Sequence, residues 1–93
     1  MADREEELDV RRKRLQFRSW HRGIRELDLL TGPFADRYVP GFTAEQLDEF
    51  EALLLQSDPD IYNWLVGHEP IPEAFDNEIV GLMKNFIQDS RKA

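Results

Sequence analysis

Cysteine is absent from the 93 residues. That excludes a disulfide framework, a thiolate metal site and a thiol nucleophile. Cohesion has to come from packing, which suits a reducing compartment. Histidine occurs only twice, at His21 and His68, with no ligand spacing between them that a metal site would need. No apolar run approaches the roughly 18 residues of a membrane-spanning helix. The first residues, MADREEELD, lack the apolar segment of a secretory signal and the Arg-rich, acid-poor character of a transit peptide. With the initial methionine, they point to a soluble, cytoplasmic protein with no membrane insertion. Five glycines are scattered at 23, 32, 41, 67 and 81 and form no phosphate-cradling loop. Strand-like alternation is also missing, and apolar residues recur instead at three- and four-residue steps.

What is present in quantity is charge, unevenly placed. Net charge is −7. Residues 1–26 hold eight basic against six acidic side chains, and residues 27–93 hold four against thirteen. The acidic body repels nucleic acid and anionic lipid, so other proteins are its natural partners. The length fits one domain, burying about 60% of its unfolded surface. The ends, 1–5 and 91–93, are expected to fray.

The periodicity predicts an all-α chain, a compact bundle of about five short helices in a single domain over 1–93. A first helix is expected over 4–18, with Leu8 and Leu15 on its inner stripe and the basic block Arg11-Arg12-Lys13-Arg14 largely solvated. Residues 22–38 carry Ile24, Leu27, Leu30, Phe34 and Tyr38 on one face. Pro33 removes a donor and disfavours helix at Gly32, so a break is expected there. Thr43-Ala44-Glu45-Gln46 matches a capping box, with Phe42 and Leu47 at the staple positions. That helix should bury Leu47, Phe50, Leu53 and Leu54 and leave Glu45, Asp48, Glu49 and Glu51 solvated. In Ser57-Asp58-Pro59-Asp60, Asp58 is expected as N-cap and Pro59 as the first helical residue. Trp64 reads as core, its indole N–H needing a partner such as a backbone carbonyl. Gly67 is the expected helix stop. A last helix should open near Pro72 and run to about Ser90, with Phe75, Ile79, Leu82, Met83 and Phe86 inward. Arg91 and Lys92 then complement its dipole.

The candidate functional stretch is Trp20-His21-Arg22-Gly23-Ile24-Arg25-Glu26, where the basic and acidic parts meet. A helical Arg22–Glu26 pair would have the poorer, basic-first orientation and contribute only about 0.3–0.5 kcal/mol. Glu26 suits the first turn of a helix, and Arg22 does not. Gly23 costs about 1 kcal/mol against Ala inside a helix. Either a sharp bend or the close approach of a partner's backbone would account for it. The two readings stand level on physical grounds and are compatible. No nucleophile, base and metal constellation surrounds His21, so no catalytic residue and no metal ligand is assigned and an enzyme is not expected.

Arg22-Gly23-x-x-Glu26, followed by Leu27-Asp28, resembles the RGxxE signature of the small flavinylation factors, the bacterial SdhE-type proteins and the mitochondrial succinate dehydrogenase assembly factor 2. Asp58-Pro59-Asp60-Ile61-Tyr62-Asn63-Trp64-Leu65 resembles a second segment of that family, and Pro33-Phe34 with Tyr38 also fits. The likeness spans about residues 10–88. It implies an assembly factor, or chaperone, that binds the flavoprotein subunit of succinate dehydrogenase, with fumarate reductase as a related client. Such a factor promotes covalent attachment of FAD to a histidine of that subunit. It also implies that the chain binds no cofactor stably, FAD being delivered to or retained by the flavoprotein. Arg22, Gly23 and Glu26 match the motif, and Trp20, His21, Arg25 and Asp28 are its neighbours in the expected partner-binding face. His21 stands where many bacterial members have a second arginine, so a role of that arginine does not carry over. A bacterial cytoplasmic protein, monomeric when free and not bound to nucleic acid, is expected. The competing reading is a non-catalytic adaptor or antitoxin-like regulator using the same face.

Overall fold

A computed structural model of the chain describes the backbone of residues 4–92 and the side chains of residues 4–90. The fraying expected at 1–3 and 93 and the dipole role of Arg91 and Lys92 lie outside the described residues. Among those described, the elements are α1 (Arg4–Trp20), α2 (Arg25–Tyr38), α3 (Ala44–Leu54), α4 (Asp58–Val66) and α5 (Glu78–Lys92), with no strand. Single 3-10 turns at Val39–Gly41 and Glu73–Phe75 fill two of the links. The all-α expectation is met. Arg4 and Glu5 are helical rather than frayed, and Arg12 reaches Glu5 (3.1 Å) and Asp9 (2.7 Å).

Capping chemistry sets the boundaries. Thr43 Oγ1 accepts from Gln46 N (3.3 Å), Gln46 Oε1 accepts from Thr43 N (2.9 Å), and Phe42 and Leu47 are buried at the staple positions. The start of α4 falls one residue earlier than expected. Ser57 is the N-cap, its hydroxyl accepting from Asp60 N (3.3 Å), and Asp58 is the first helical residue. A serine suffices for this job, so the Asp58 carboxylate is free for another. Gly67 ends α4 with φ 85°, the left-handed cap that glycine permits. The last helix opens at Glu78, not near Pro72. Pro72 leads into the 3-10 turn, and Asn77 caps α5 by accepting from Val80 N (3.0 Å). Phe75 therefore lies outside the helix, half-buried, and stacks on Trp64 at 5.5 Å.

The break expected at Gly32-Pro33 does not occur, and α2 runs through Pro33. Packing outweighs the missing donor. Thr31, Gly32, Phe34 and Ala35 are all buried, and the Thr31 hydroxyl donates to the Leu27 and Ser19 carbonyls. Phe34 is the centre of the core, with the rings of Tyr38, Phe42, Phe50 and Phe86 at 5.0–6.2 Å. Leu15, Leu27, Leu47, Leu53, Ile61, Ile79 and Met83 complete it, along with Val80 and Ile87 from α5. Trp64 is buried as expected, but its indole N–H makes no hydrogen bond among the described residues and stays open to water.

The basic block divides between the two sides of α1. Lys13 is exposed, and Arg14 is half-exposed with one long contact to Glu51 at 3.8 Å. Arg11 is drawn onto α3 by Asp48 and Glu51, both at 2.8 Å, and Arg12 donates to the Phe42 carbonyl at 2.8 and 3.1 Å. The Asp48 hydrogen bond, with Glu51 adding to it against partial burial, holds the Arg11 guanidinium above its ordinary pKa. Asp9 and then Glu5 do the same for Arg12. Asp48 and Glu51 are thus partners of α1 and not merely a solvated face.

Candidate partner-docking site

The link between α1 and α2 is four residues long, His21–Ile24, and it holds the candidate motif. Ile24 has extended backbone at the N-cap of α2 and offers no capping side chain. The loop is fastened instead by carboxylates from two helices. Asp28 reaches back along α2 to accept from Arg22 N (2.6 Å). Asp58, at the start of α4, accepts from Arg22 Nε (3.0 Å) through Oδ1, which also lies 2.8 Å from Nη2 as an ion pair, and from Gly23 N (2.6 Å) through Oδ2. Arg22 Nη2 also donates to the Leu54 carbonyl (2.6 Å), the last residue of α3. One arginine therefore ties the loop to the end of α3 and the start of α4. Both partners are largely covered, with side chains 13% and 20% exposed for Arg22 and Asp58.

Gly23 is in the bend and not in a helix, so the helix-interior cost does not arise. A Cβ at Gly23 would stand 3.0 Å from Asp58 Oδ2, tighter than an ordinary contact. The group that comes close to this glycine is a carboxylate of its own chain. Trp20 lies flat over Gly32, where any Cβ would fall inside the indole ring. Its Nε1 donates to Asp36 (3.0 Å), which fixes the last turn of α1 against the middle of α2. His21 stacks on Phe17 at 4.0 Å and its Nδ1 donates to the Phe17 carbonyl (2.8 Å), with both rings exposed.

Arg25 and Glu26 are exposed and make no side-chain hydrogen bond or ion pair among the described residues. The structure thus divides the seven candidate residues. Arg22, Gly23 and Asp28 fasten the loop, His21 opens it beside Trp20 at the end of α1, and Arg25 and Glu26 stand free on its outer side. Beside Glu26 is an open hollow of about 410 Å³ lined by Ile24, Glu26, Pro59, Tyr62 and Asn63. It joins the two sequence blocks, Arg22–Asp28 and Asp58–Leu65, on one surface. No group of three or more His, Asp or Glu side chains among the described residues is placed to hold a metal.

Sequence reasoning missed Asp58 as the fastening residue because it assigned that carboxylate to the cap. Ser57, an equally good capping residue one position earlier, was the available signal. The Trp20–Gly32 contact had no signal in local spacing, because it depends on how α1 and α2 cross.

Residues 13–87 match the family model described as flavinator of succinate dehydrogenase. A protein named FAD assembly factor SdhE from Acetobacter pasteurianus is 38% identical over 87 residues, covering 94% of this chain and 77% of that protein. Succinate dehydrogenase assembly factor 2, mitochondrial, from Debaryomyces hansenii is 41% identical over 91 residues, covering 94% and 64%. Assembly factor 2-B, mitochondrial, from Drosophila ananassae is 37% identical over 89 residues, and this chain spans 55% of its length.

Proposed function

Because the chain belongs to the family of flavinators of succinate dehydrogenase, we propose that it binds the flavoprotein subunit of that enzyme and promotes covalent attachment of FAD to one of its histidines. The observation that carries this reading is the fastened loop. Arg22 and Gly23 are locked by Asp58 and Asp28 while Glu26 and Arg25 are left free. A rigid loop presenting unpaired charge is pre-organised for a partner, so little ordering entropy opposes docking.

In this reading the chain acts as an assembly factor and not as a catalyst. Glu26 and Arg25 make the contacts, with Trp20 and His21 at the margin of the face. Arg22 contributes mainly through position, since its Nε and Nη2 donors are used within the chain. Preferential binding to one conformation of the flavoprotein holds its histidine and flavin in register. FAD stays with the flavoprotein. The described residues form no phosphate-cradling loop, and the carboxylate beside the hollow opposes a diphosphate. The flavoprotein of fumarate reductase, carrying the same linkage chemistry, is a second client. The factor is monomeric when free and works in the bacterial cytoplasm. No helix among the described residues is long and apolar enough to cross a membrane.

The test is a strain deleted for this chain and complemented with wild type, Glu26→Ala or Gly23→Arg. The readout is flavin fluorescence of the denatured flavoprotein band. Wild type should restore covalent flavin, and each variant should restore at most about a tenth of it: Glu26→Ala through the loss of about 1.4 kcal/mol of docking energy, Gly23→Arg by displacing Asp58 from the loop that carries Glu26. Glu26→Ala should leave the urea midpoint within experimental error. Undiminished covalent flavin in the deletion strain overturns the reading.

A further inference from the structure

Of the hollow beside the motif, the proposed function uses only Glu26. Its apolar lining is Ile24 and Pro59, and its polar groups come from Glu26, Tyr62 and Asn63. The Glu26 carboxylate, the Tyr62 hydroxyl and the Asn63 side-chain amide make no hydrogen bond to any described residue. Asp60, exposed beside Pro59, is likewise without a cationic partner. Of the two nearby arginines, Arg22 is ion-paired with Asp58 and bonded to the Leu54 carbonyl, and Arg25 is exposed next to Glu26 without pairing to it. The hollow is therefore a partly apolar recess with an acidic rim and one aromatic wall.

We propose that this hollow seats a single arginine side chain of the partner protein. The proposal rests on the reading above for the partner's identity and goes beyond it by naming what enters. Charge selects a cation. The aromatic wall and the shape select arginine over lysine. A planar guanidinium stacks on a tyrosine face and bonds a carboxylate through two parallel donors, whereas a compact ammonium does neither as well. The Tyr62 ring meets His68 edge-on at 6.2 Å, which occupies at most one of its faces. The aliphatic stem of an arginine would cover Ile24 and Pro59, and the Asn63 amide oxygen is an acceptor for a remaining N–H. The position of Glu26 at the N-terminus of α2 explains a stable acidic residue there. It does not account for a tyrosine and an asparagine left open on the adjoining helix.

The experiment measures affinity of the purified chain for the purified flavoprotein subunit, by titration calorimetry at two salt concentrations. Wild type is compared with Glu26→Gln, Tyr62→Leu, the double variant and Glu26→Arg. Glu26→Gln should weaken binding about tenfold or more and flatten its salt dependence, as loss of a close interfacial charge pair does. Tyr62→Leu should weaken it by about two- to thirtyfold, the span of a cation–π contact. The double variant should lose less than the product of the two, because both groups hold the same guanidinium. Glu26→Arg should prevent binding, and an Arg→Glu change at one arginine of the flavoprotein should restore it. Urea midpoints of all variants should stay near wild type. If Tyr62→Leu binds as well as or better than wild type while wild type binds and loads flavin, the arginine seat is overturned and the functional reading stands. If wild type does not bind the flavoprotein, both are overturned.

Discussion

A carboxylate that accepts from a guanidinium and from the next backbone N–H holds side chain and backbone at once. Asp58 does this for Arg22 and Gly23. Removing one member of a fully buried pair costs about 3–5 kcal/mol. Here both side chains keep some contact with water, so Asp58→Ala should cost about 1–3 kcal/mol in urea unfolding. Asp58→Asn keeps an acceptor for Gly23 N and should lose about half as much. Both should lower flavin loading more than their stability loss accounts for, because Glu26 then sits on a loosened loop. A loading defect that simply tracks the fraction unfolded would remove Asp58 from the docking argument. Gly23 belongs to the same unit. Its lack of a side chain is what lets Asp58 approach the loop backbone, so a substitution there acts first inside the chain.

At the level of the helices, the informative position is Pro33. Its missing N–H and its ring cost up to about 3 kcal/mol in a helix interior. Against that stand the half-buried ring and a stiffer unfolded chain, together about 1–2 kcal/mol. Pro33→Ala should therefore stabilise the protein by about 1 kcal/mol, raising the urea midpoint at unchanged slope. A lower midpoint would mean that the proline ring is needed in the packing of α2. The same residue marks where sequence reasoning stopped working. Local signals located the capping box at Thr43, the glycine stop at Gly67 and the apolar faces of α3 and α4, because each is settled within a few residues. They misplaced the break at Pro33, the cap at Ser57 and the start of α5 at Asn77. Each of those was decided by tertiary contacts or by a choice between two adjacent capping residues. In the candidate site, the motif residues were legible, and a bend at Gly23 was one of two readings, but the helical face was drawn from residue 22 and the link over His21–Ile24 was not legible. The inward direction of Arg22 was not, since Asp58 lies 36 positions away in sequence.

Across the whole molecule, the basic α1 lies on the acidic body, and Glu51 is where they meet. Arg11, Arg14 and Arg18 approach it at 2.8, 3.8 and 3.5 Å. Geometry and exposure rank them. Arg11 is 21% exposed and bonds two carboxylates, whereas Arg14 is 50% exposed and makes one long contact. Exposed pairs contribute about 0.2–1 kcal/mol at most. Arg11→Ala should thus lower stability by about 1 kcal/mol and Arg14→Ala by no more than about 0.3, measured as unfolding free energies at low salt. Equal losses would mean that the long contacts carry as much as the short ones. The radius of gyration is 13.1 Å, that of a folded chain of about this length, so α1 is part of the globule even though Val10 and Phe17 on its outer face are uncovered.

The indole that lies over Gly32 has a further consequence. Of the two tryptophans, Trp64 is 8% exposed and Trp20 is 36% exposed, and Trp20 is separated from the motif by a single residue. Trp64 is packed in the core on Phe75 with little more than its N–H edge reaching water, so it responds less than Trp20, which senses how much water reaches the α1–α2 corner. The chain thus carries a native optical probe within two residues of Arg22, and occupancy of this corner can be followed in real time without attaching a dye.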